Sequence, residues 1–198
     1  MSAVTIRPET EGDAVGVDAL VAQSFGPGRH AKSAYRLREG VEPVRALSLV
    51  LVLDGVVAGT VRYWPVGIGG VAALMLGPIA VRPDLQGQGY ALQLMQASLA
   101  LARTLGHRIV VLVGDEAYYG RAGFARIQPY GRITLPGPVD RSRVLGLELV
   151  PGALEGVSGE IRKLGVSAKV YAAGAGLTTL APPAGQKAAQ NGIHNFKS

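Results

Sequence analysis

Residues 76–91 have the sequence Leu-Gly-Pro-Ile-Ala-Val-Arg-Pro-Asp-Leu-Gln-Gly-Gln-Gly-Tyr-Ala, which is the most informative part of the chain. An apolar strand, expected over 71–81, leads through a turn into the glycine loop 86–89, and a long helix is expected over 89–105. The helix start offers unpaired amides and a favourable dipole, and glycines let a ligand approach the backbone. Together they predict an anion site suited to a pyrophosphate. The same glycines are also compatible with a plain strand–helix connection.

The glycine loop does not match two common phosphate-binding motifs. No Gly-Lys-Ser/Thr is present, which excludes a P-loop. Gly87 and Gly89 are followed by Leu92, where a dinucleotide fingerprint needs glycine or alanine. A nucleotide-binding fold of either kind is therefore not expected.

Pro78 interrupts the strand that precedes the glycine loop. Proline has no N–H, so within a strand it marks an edge or a bulge. We expect a bulge at Gly77-Pro78 that bends the strand away from its neighbour. The backbone of 79–81 could then pair with an extended ligand that contains amides, much as an added strand would.

The remaining pattern predicts a mixed α/β fold (α+β by some definitions) with helices on both faces of the sheet. Strands are expected at 4–7, 46–53, 56–64, 71–81, 108–113, 124–127 and 144–150, and helices at 10–25, 30–39, 89–105 and 117–122. Asp54-Gly55 predicts a tight hairpin, while Pro65 and the glycines of 67–70 predict a loop. The helix at 89–105 makes one parallel crossover in an otherwise antiparallel sheet.

Composition excludes several classes of protein. The 198 residues contain no cysteine, which excludes a disulfide scaffold and a thiolate nucleophile, and no spacing of His, Asp and Glu indicates a metal site. Residues 1–7 lack a secretory core, and glycine and proline break the uncharged stretch 63–81, so neither a signal peptide nor a membrane span is expected. The net charge of +6 is not gathered in one block, so we expect a cytoplasmic protein without a nucleic-acid partner.

Two segments resemble the GNAT N-acetyltransferase superfamily. Gln86-x-x-Gly89-x-Ala91 matches its Q/R-x-x-G-x-G/A acyl-coenzyme A signature, and residues 117–124 (AYYGRAGF) are similar to its F-Y-x-K-x-G-F segment. Residues 114–124 and 149–154 resemble the YhbS-like subgroup. The resemblance implies a GNAT acetyltransferase domain over 3–155. Residues 156–198 are then a C-terminal extension whose tail, from about residue 172, is expected to be mobile.

The resemblance implies acetyl-coenzyme A as the co-substrate and no metal. It places the pyrophosphate on the backbone of Gln86, Gly87, Gln88, Gly89, Tyr90 and Ala91, and the pantetheine arm beside Ile79, Ala80 and Val81. The thioester would lie where this strand separates from the one at 108–113, with a backbone N–H near 79–81 stabilising the oxyanion.

Tyr119 matches the family tyrosine that protonates the departing thiolate, and a phenol with a pKa of about 10 suits this role. Packing against the cofactor or the core is its alternative role. Tyr118 is expected to pack in the core. Asp115 is expected to cap the short helix, with a bond to the cofactor as the alternative.

The resemblance also implies that a primary amine, on a small molecule or a protein, attacks the thioester directly. An acyl-enzyme is disfavoured because the motifs contain no cysteine and no Ser-His pair. Acceptor contacts are expected from 25–40, from Arg62, Tyr63 and Trp64, and from the glycines of 67–70. Tyr63 and Trp64 are equally compatible with ordinary strand packing.

The sequence does not identify the general base, because the strand at 71–81 contains no acidic residue. A water chain, Glu116, Glu39 and His30 are the candidates. The missing carboxylate is also compatible with a non-catalytic sensor that binds acyl-coenzyme A. A nucleic-acid-associated protein that uses Lys163, Lys169 and Lys187 is a third alternative. A homodimer is compatible with the resemblance.

Overall fold

The computed structural model describes residues 4–27, 33–137 and 139–164. Within these ranges the strands are β1 (Val4–Pro8), β2 (Leu49–Leu53), β3 (Val56–Ile68), β4 (Val71–Val81), β5 (Ile109–Val113), β6 (Ala125–Arg126), β7 (Ile133–Thr134), β8 (Val144–Glu148) and β9 (Gly159–Lys163). The helices are α1 (Ala14–Phe25), α2 (Ser33–Arg36), α3 (Tyr90–Thr104) and α4 (Glu116–Tyr119). The tail from residue 172, the lysines Lys169 and Lys187, and the candidate base His30 all lie outside the described residues.

The strands form one mixed sheet in the order β1-β2-β3-β4-β5-β8-β6, with β9 joined to β3 and β7 joined to β9. The pairs β4–β5 and β7–β9 are parallel, and the other pairs are antiparallel. Helix α3 connects β4 to β5, as a parallel crossover requires. The predicted fold class is confirmed, and β7 and β9 are additions that the sequence pattern did not predict.

Apolar side chains fill both faces of the sheet. On one face α3 buries Leu94, Met95 and Leu99 against β2, β3 and β4. On the other face Met75 and Val111 join side chains from α2 and from the chain after β8. Helix α1 packs on this second face too, where Gly16 lies against Val57. This packing holds β4 between two apolar layers, so the position of its irregular segment is fixed.

Strand β3 is longer than predicted, and the predicted loop at 65–70 is wrong. The strand continues to Ile68, and only Gly69 and Gly70 form the turn. β3 pairs with β2 as far as Val61 and with β9 from Val66 onward. Pro65 lies between these two paired stretches, where a missing N–H breaks no ladder bond to either strand. The glycines of 67–70 therefore belong to a hairpin that β9 covers.

The hairpin offers a test of how β9 is held. Gly69 has φ +55, and a Cβ there would overlap the carbonyl oxygen of Ser158, whereas Gly70 has φ +89 and open space. We expect Gly70→Ala to cost about 1 kcal/mol for its left-handed backbone. Gly69→Ala should cost about 1–3 kcal/mol more, because Ser158 must move. Urea unfolding measures both, and equal losses would show that β9 does not seal this turn.

Metal-binding clusters and membrane-spanning helices were both sought among the described residues. No group of three or more His, Asp or Glu side chains lies together there as a metal site. No helix in these ranges is both long and apolar enough to cross a membrane.

Candidate functional site

The parallel strands β4 and β5 separate halfway along their length. They pair at Leu74–Val110 and Met75–Val111 only. Beyond that point β4 carries the predicted bulge, because Val61 pairs with Ile79 and Tyr63 with Leu76, which leaves one extra residue in β4. Residues 79–81 pair with β3 on one side, and within the described ranges they have no strand partner on the other. The result is an open strand edge in the middle of the sheet.

The glycine loop lies at the end of this open edge. Gly87 and Gly89 have φ +79 and +85, a backbone that favours glycine, and a Cβ at either would meet nothing within 4 Å. The side chain of Gln86 donates to the carbonyl of Val81 at 3.3 Å, and that of Gln88 to the carbonyl of Asp84 at 3.2 Å. These bonds fix the loop and leave its backbone exposed to a ligand.

Helix α3 begins directly after the glycine loop. Gly89 is its N-cap, and the amide of Gln93 donates to the carbonyl of Gly89. The amides of Tyr90 and Ala91 precede that first helical bond and have no partner within the helix. Together with the helix dipole they favour a negatively charged group.

A cavity of about 940 Å³ opens on the other side of the bulge. Its walls come from α1, α2, β3, the bulge and α4, and from the loop before β8. The cavity combines aromatic side chains with both signs of charge, and its lining includes Phe25, Tyr35, Arg38, Trp64, Tyr118 and Tyr119. The separated strands therefore lie between a backbone-rich groove and a chemically mixed cavity.

Tyr119 lines this cavity from the end of α4. Its ring makes edge contacts with Tyr118 and Phe124, at centroid distances of 5.0 and 6.2 Å. A Cβ on Gly114 would overlap the Tyr119 ring, so this glycine makes room for the tyrosine. Burial, followed by the neighbouring Tyr118, raises the pKa of the Tyr119 phenol, and nearby arginines oppose the increase. The phenol is therefore protonated at neutral pH and can donate a proton.

The two neighbours of Tyr119 singled out in the sequence differ in outcome. Asp115 caps α4, since its carboxylate accepts the amide of Ala117 at 2.8 Å, as predicted. Tyr118 was predicted in the core, and this is wrong, because its side chain is 40% exposed and lines the cavity. The short helix turns successive residues to different sides, and Tyr119 takes the inner position.

The structure separates the two aromatic residues predicted to contact the acceptor. Trp64 lines the cavity, and its indole N–H donates to the carbonyl of Gly77 in the bulge at 2.6 Å. Tyr63 is fully buried on the opposite face of β3, where its hydroxyl lies 2.7 Å from the Ser98 hydroxyl of α3. Successive strand residues point to opposite faces, so only one of the two can reach the cavity. The prediction for Tyr63 is wrong.

The two candidate bases among the described residues, Glu39 and Glu116, have different surroundings. Glu39 lines the cavity. Glu116 is held by Arg126, which forms an ion pair with it at 2.7 Å and donates a backbone N–H to it. Asp18 and Asp140 line the cavity as well, although no spacing in the sequence selects them. Asp140 accepts bonds from the amide and hydroxyl of Ser142.

Two arginines of the wall have different surroundings. Arg62 is paired with Glu9 and with Asp18. Arg38, which follows α2, lies against the bulge, because a Cβ on Gly77 would be 2.8 Å from its Nη2. Burial lowers the pKa of the Arg38 guanidinium to about 10, so it is still a cation at neutral pH. Only its place within 25–40, a range expected to contact the acceptor, pointed to Arg38 in advance.

Comparison with protein families matches residues 16–124 to the acetyltransferase (GNAT) family. Among curated protein sequences, the chain is similar to one described as the uncharacterised N-acetyltransferase YhbS of Escherichia coli. The two are 37% identical over 158 residues, which cover 78% of this chain and 92% of YhbS.

Two solved structures share the architecture. The chain is similar to the crystal structure of the GNAT family N-acetyltransferase YhbS from Escherichia coli in complex with CoA, with a TM-score of 0.70 and 34% identity over 83% of this chain and 91% of that one. It is also similar to a GNAT family acetyltransferase from Brucella melitensis in complex with acetyl-CoA, with a TM-score of 0.61 and 27% identity over 82% of this chain and 97% of that one.

Proposed function

This chain belongs to the acetyltransferase (GNAT) family, and we propose that it transfers the acetyl group of acetyl-coenzyme A directly to a primary amine. One observation carries the proposal. The bulged segment of β4, whose edge toward β5 is open, lies between an amide-rich loop and a cavity lined by the partly buried Tyr119. This arrangement supplies a groove for the donor and a separate space for the acceptor.

The proposed cofactor site consists of residues 79–81 and 86–91. The open edge of 79–81 can donate to and accept from the amides of a pantetheine arm. The amides at the start of α3 can bind a pyrophosphate, since Gly87 and Gly89 leave the approach open. When bound there, acetyl-coenzyme A would supply the acetyl group as an activated thioester and leave as coenzyme A. Two structurally similar family members bind CoA or acetyl-CoA, which supports this assignment.

Tyr119 is the proposed general acid. It lies in the wall of the cavity, and its raised pKa keeps its proton available over the neutral range. A phenol can protonate a departing thiolate because the two groups have similar basicity. Backbone N–H groups near 79–81 are the proposed donors to the developing oxyanion.

Glu39 is the proposed acceptor of the amine proton, directly or through water. It lines the cavity, whereas Glu116 is occupied by Arg126. β4 itself offers no carboxylate. The missing carboxylate is also compatible with a second candidate function, a sensor that binds acyl-coenzyme A without transferring the acyl group.

The proposed acetyltransferase domain spans 3–155, although β9 at Gly159–Lys163 also pairs with the sheet. Three further points stay predictions. The acceptor amine is on a small molecule or a protein, the protein is cytoplasmic, and it forms a homodimer.

Turnover in the presence of amines tests the proposed function. Purified protein is incubated with acetyl-coenzyme A and a panel of amines, free thiol is measured, and the acetylated amine is identified by mass. Isothermal titration with coenzyme A is measured in parallel. We expect binding, together with amine-dependent thiol release. Binding without transfer to any amine would support the sensor, and no binding would refute both functions.

A further inference from the structure

The Arg38 side chain lines the cavity and has no counter-ion among the described residues. Within residues 4–27, 33–137 and 139–164 its guanidinium makes no salt bridge and no hydrogen bond. Its Nε atom is fully buried and has no acceptor there. A partly buried guanidinium without a counter-ion is costly, because its desolvation is not repaid. The arrangement is therefore that of a site whose anion comes from a ligand.

The position of Arg38 indicates which ligand supplies the anion. The guanidinium lies against Gly77, at the bulge where β4 leaves β5. Val81, the last residue of β4, is roughly 13 Å of extended strand from Gly77, and the glycine loop follows it, so a pyrophosphate on that loop would lie away from the guanidinium. An anion bound by Arg38 would instead lie within the acceptor cavity, next to the proposed reaction point.

The other charges of the cavity limit the kind of anion. The same walls contain both signs of charge: the acidic side chains are Asp18, Glu39, Asp115 and Asp140, and the further arginines are Arg62 and Arg143. Arg62 is already paired with Glu9 and Asp18. Such a surrounding disfavours a doubly charged phosphate, and it favours a ligand that brings one negative and one positive charge. The guanidinium fork matches a carboxylate, with which it can form two parallel hydrogen bonds. An ammonium group finds its counter-charges in the acidic side chains.

An apolar part of the ligand also has a place. Phe25 and Tyr118 are 37% and 40% exposed, and both line the cavity with Tyr35 and Trp64. Aromatic surfaces of this kind gain from covering an apolar side chain.

We propose that Arg38 binds the carboxylate of the acceptor, and that the acceptor is an amino acid with an apolar side chain. In such a molecule the amine is separated from the carboxylate by one carbon, so Arg38 holds the nitrogen next to the bulge. Arg38 is then a residue that determines specificity. This inference rests on the proposed function, because it names the substrate class of the same site.

Tryptophan fluorescence tests the inference without turnover, since Trp64 is the single tryptophan of the chain. The probes are N-acetyl-L-phenylalanine, which has the form of a product, and its amide, added to protein saturated with coenzyme A. We expect the acid to bind about tenfold more tightly than the amide. Arg38→Gln should lower the affinity for the acid by about 30-fold. The affinities for the amide and for coenzyme A should change by less than about threefold. Arg38→Lys should lower the affinity for the acid by an intermediate factor, since lysine keeps the charge but cannot form two parallel hydrogen bonds.

Arg121→Gln is the matched control, because it removes the same charge from an exposed arginine outside the cavity wall. It should leave all affinities unchanged. Equal affinities for acid and amide in the native protein would overturn the inference, and so would equal losses of both in Arg38→Gln. No binding of the acid at millimolar concentration, by fluorescence or calorimetry, would overturn it too. Coenzyme A binding and acetyl transfer to amines without a carboxylate would leave the proposed function standing in each of these cases.

Discussion

Tyr119→Phe is expected to lower kcat by a factor of about 10²–10⁴, the contribution typical of a positioned general acid. The substitution removes one hydroxyl and keeps the ring, so the edge contacts with Tyr118 and Phe124 are retained. The thiolate would then leave without a proton donor. Coenzyme A affinity and the melting temperature should change little, because neither depends on the hydroxyl.

The pH dependence gives the same prediction a second readout. Burial raises the pKa of Tyr119, so its protonated form persists to higher pH than that of an exposed tyrosine. Activity that depends on this proton should be lost only as the pH rises above about 10, the usual phenol pKa. Measured as log kcat against pH, the native protein should show this alkaline limb, and Tyr119→Phe should lack it.

Tyr118→Phe is the matched control for this experiment. Tyr118 lies on the same short helix, lines the same cavity and is 40% exposed. Its hydroxyl has no role in the proposed chemistry, so the variant should keep kcat within about threefold. A Tyr119→Phe protein that keeps its activity would exclude the proposed acid. Equal losses in both variants would indicate a shared effect on the cavity rather than proton transfer.

Features set by adjacent residues could be predicted from the sequence. The helix after the glycine loop begins at Tyr90, one residue from the predicted start. Pro78 produces the expected bulge, because a residue without an N–H cannot continue the ladder. Asp115 caps α4 by a local bond to Ala117. In each case the cause lies within a few residues of the effect.

Features set by distant parts of the chain could not be predicted in this way. The segment Gly159–Lys163 has one buried residue, Ile161, and it becomes a strand because β3 extends past Pro65 to meet it. Strand alternation places Tyr63 and Trp64 on opposite faces, but only the packing of α3 decides that Tyr63 is the one buried beneath a helix. Arg38 reaches the bulge through a tertiary contact with Gly77, about which spacing says nothing.

Gly89→Asp is expected to abolish the stabilisation that coenzyme A gives. At 100 times its dissociation constant, a ligand raises the free energy of unfolding by about 2.7 kcal/mol, and we expect this increase in the native protein. The new side chain would project into the open space in front of the α3 amides. Its negative charge would compete with a pyrophosphate for those amides. The melting temperature of Gly89→Asp should therefore be the same with and without coenzyme A.

Two variants separate charge from backbone strain in this loss. Gly89→Asn has nearly the same shape without the charge, and asparagine tolerates a left-handed backbone, so it should keep part of the shift. Gly55→Asp adds the same charge at a glycine with φ +81 and open space, in the turn between β2 and β3. It should lower the melting temperature slightly and keep the full ligand shift. If Gly89→Asp kept the shift as well, the pyrophosphate could not lie on this loop. If Asn and Asp lost it equally, the backbone and not the charge would control binding.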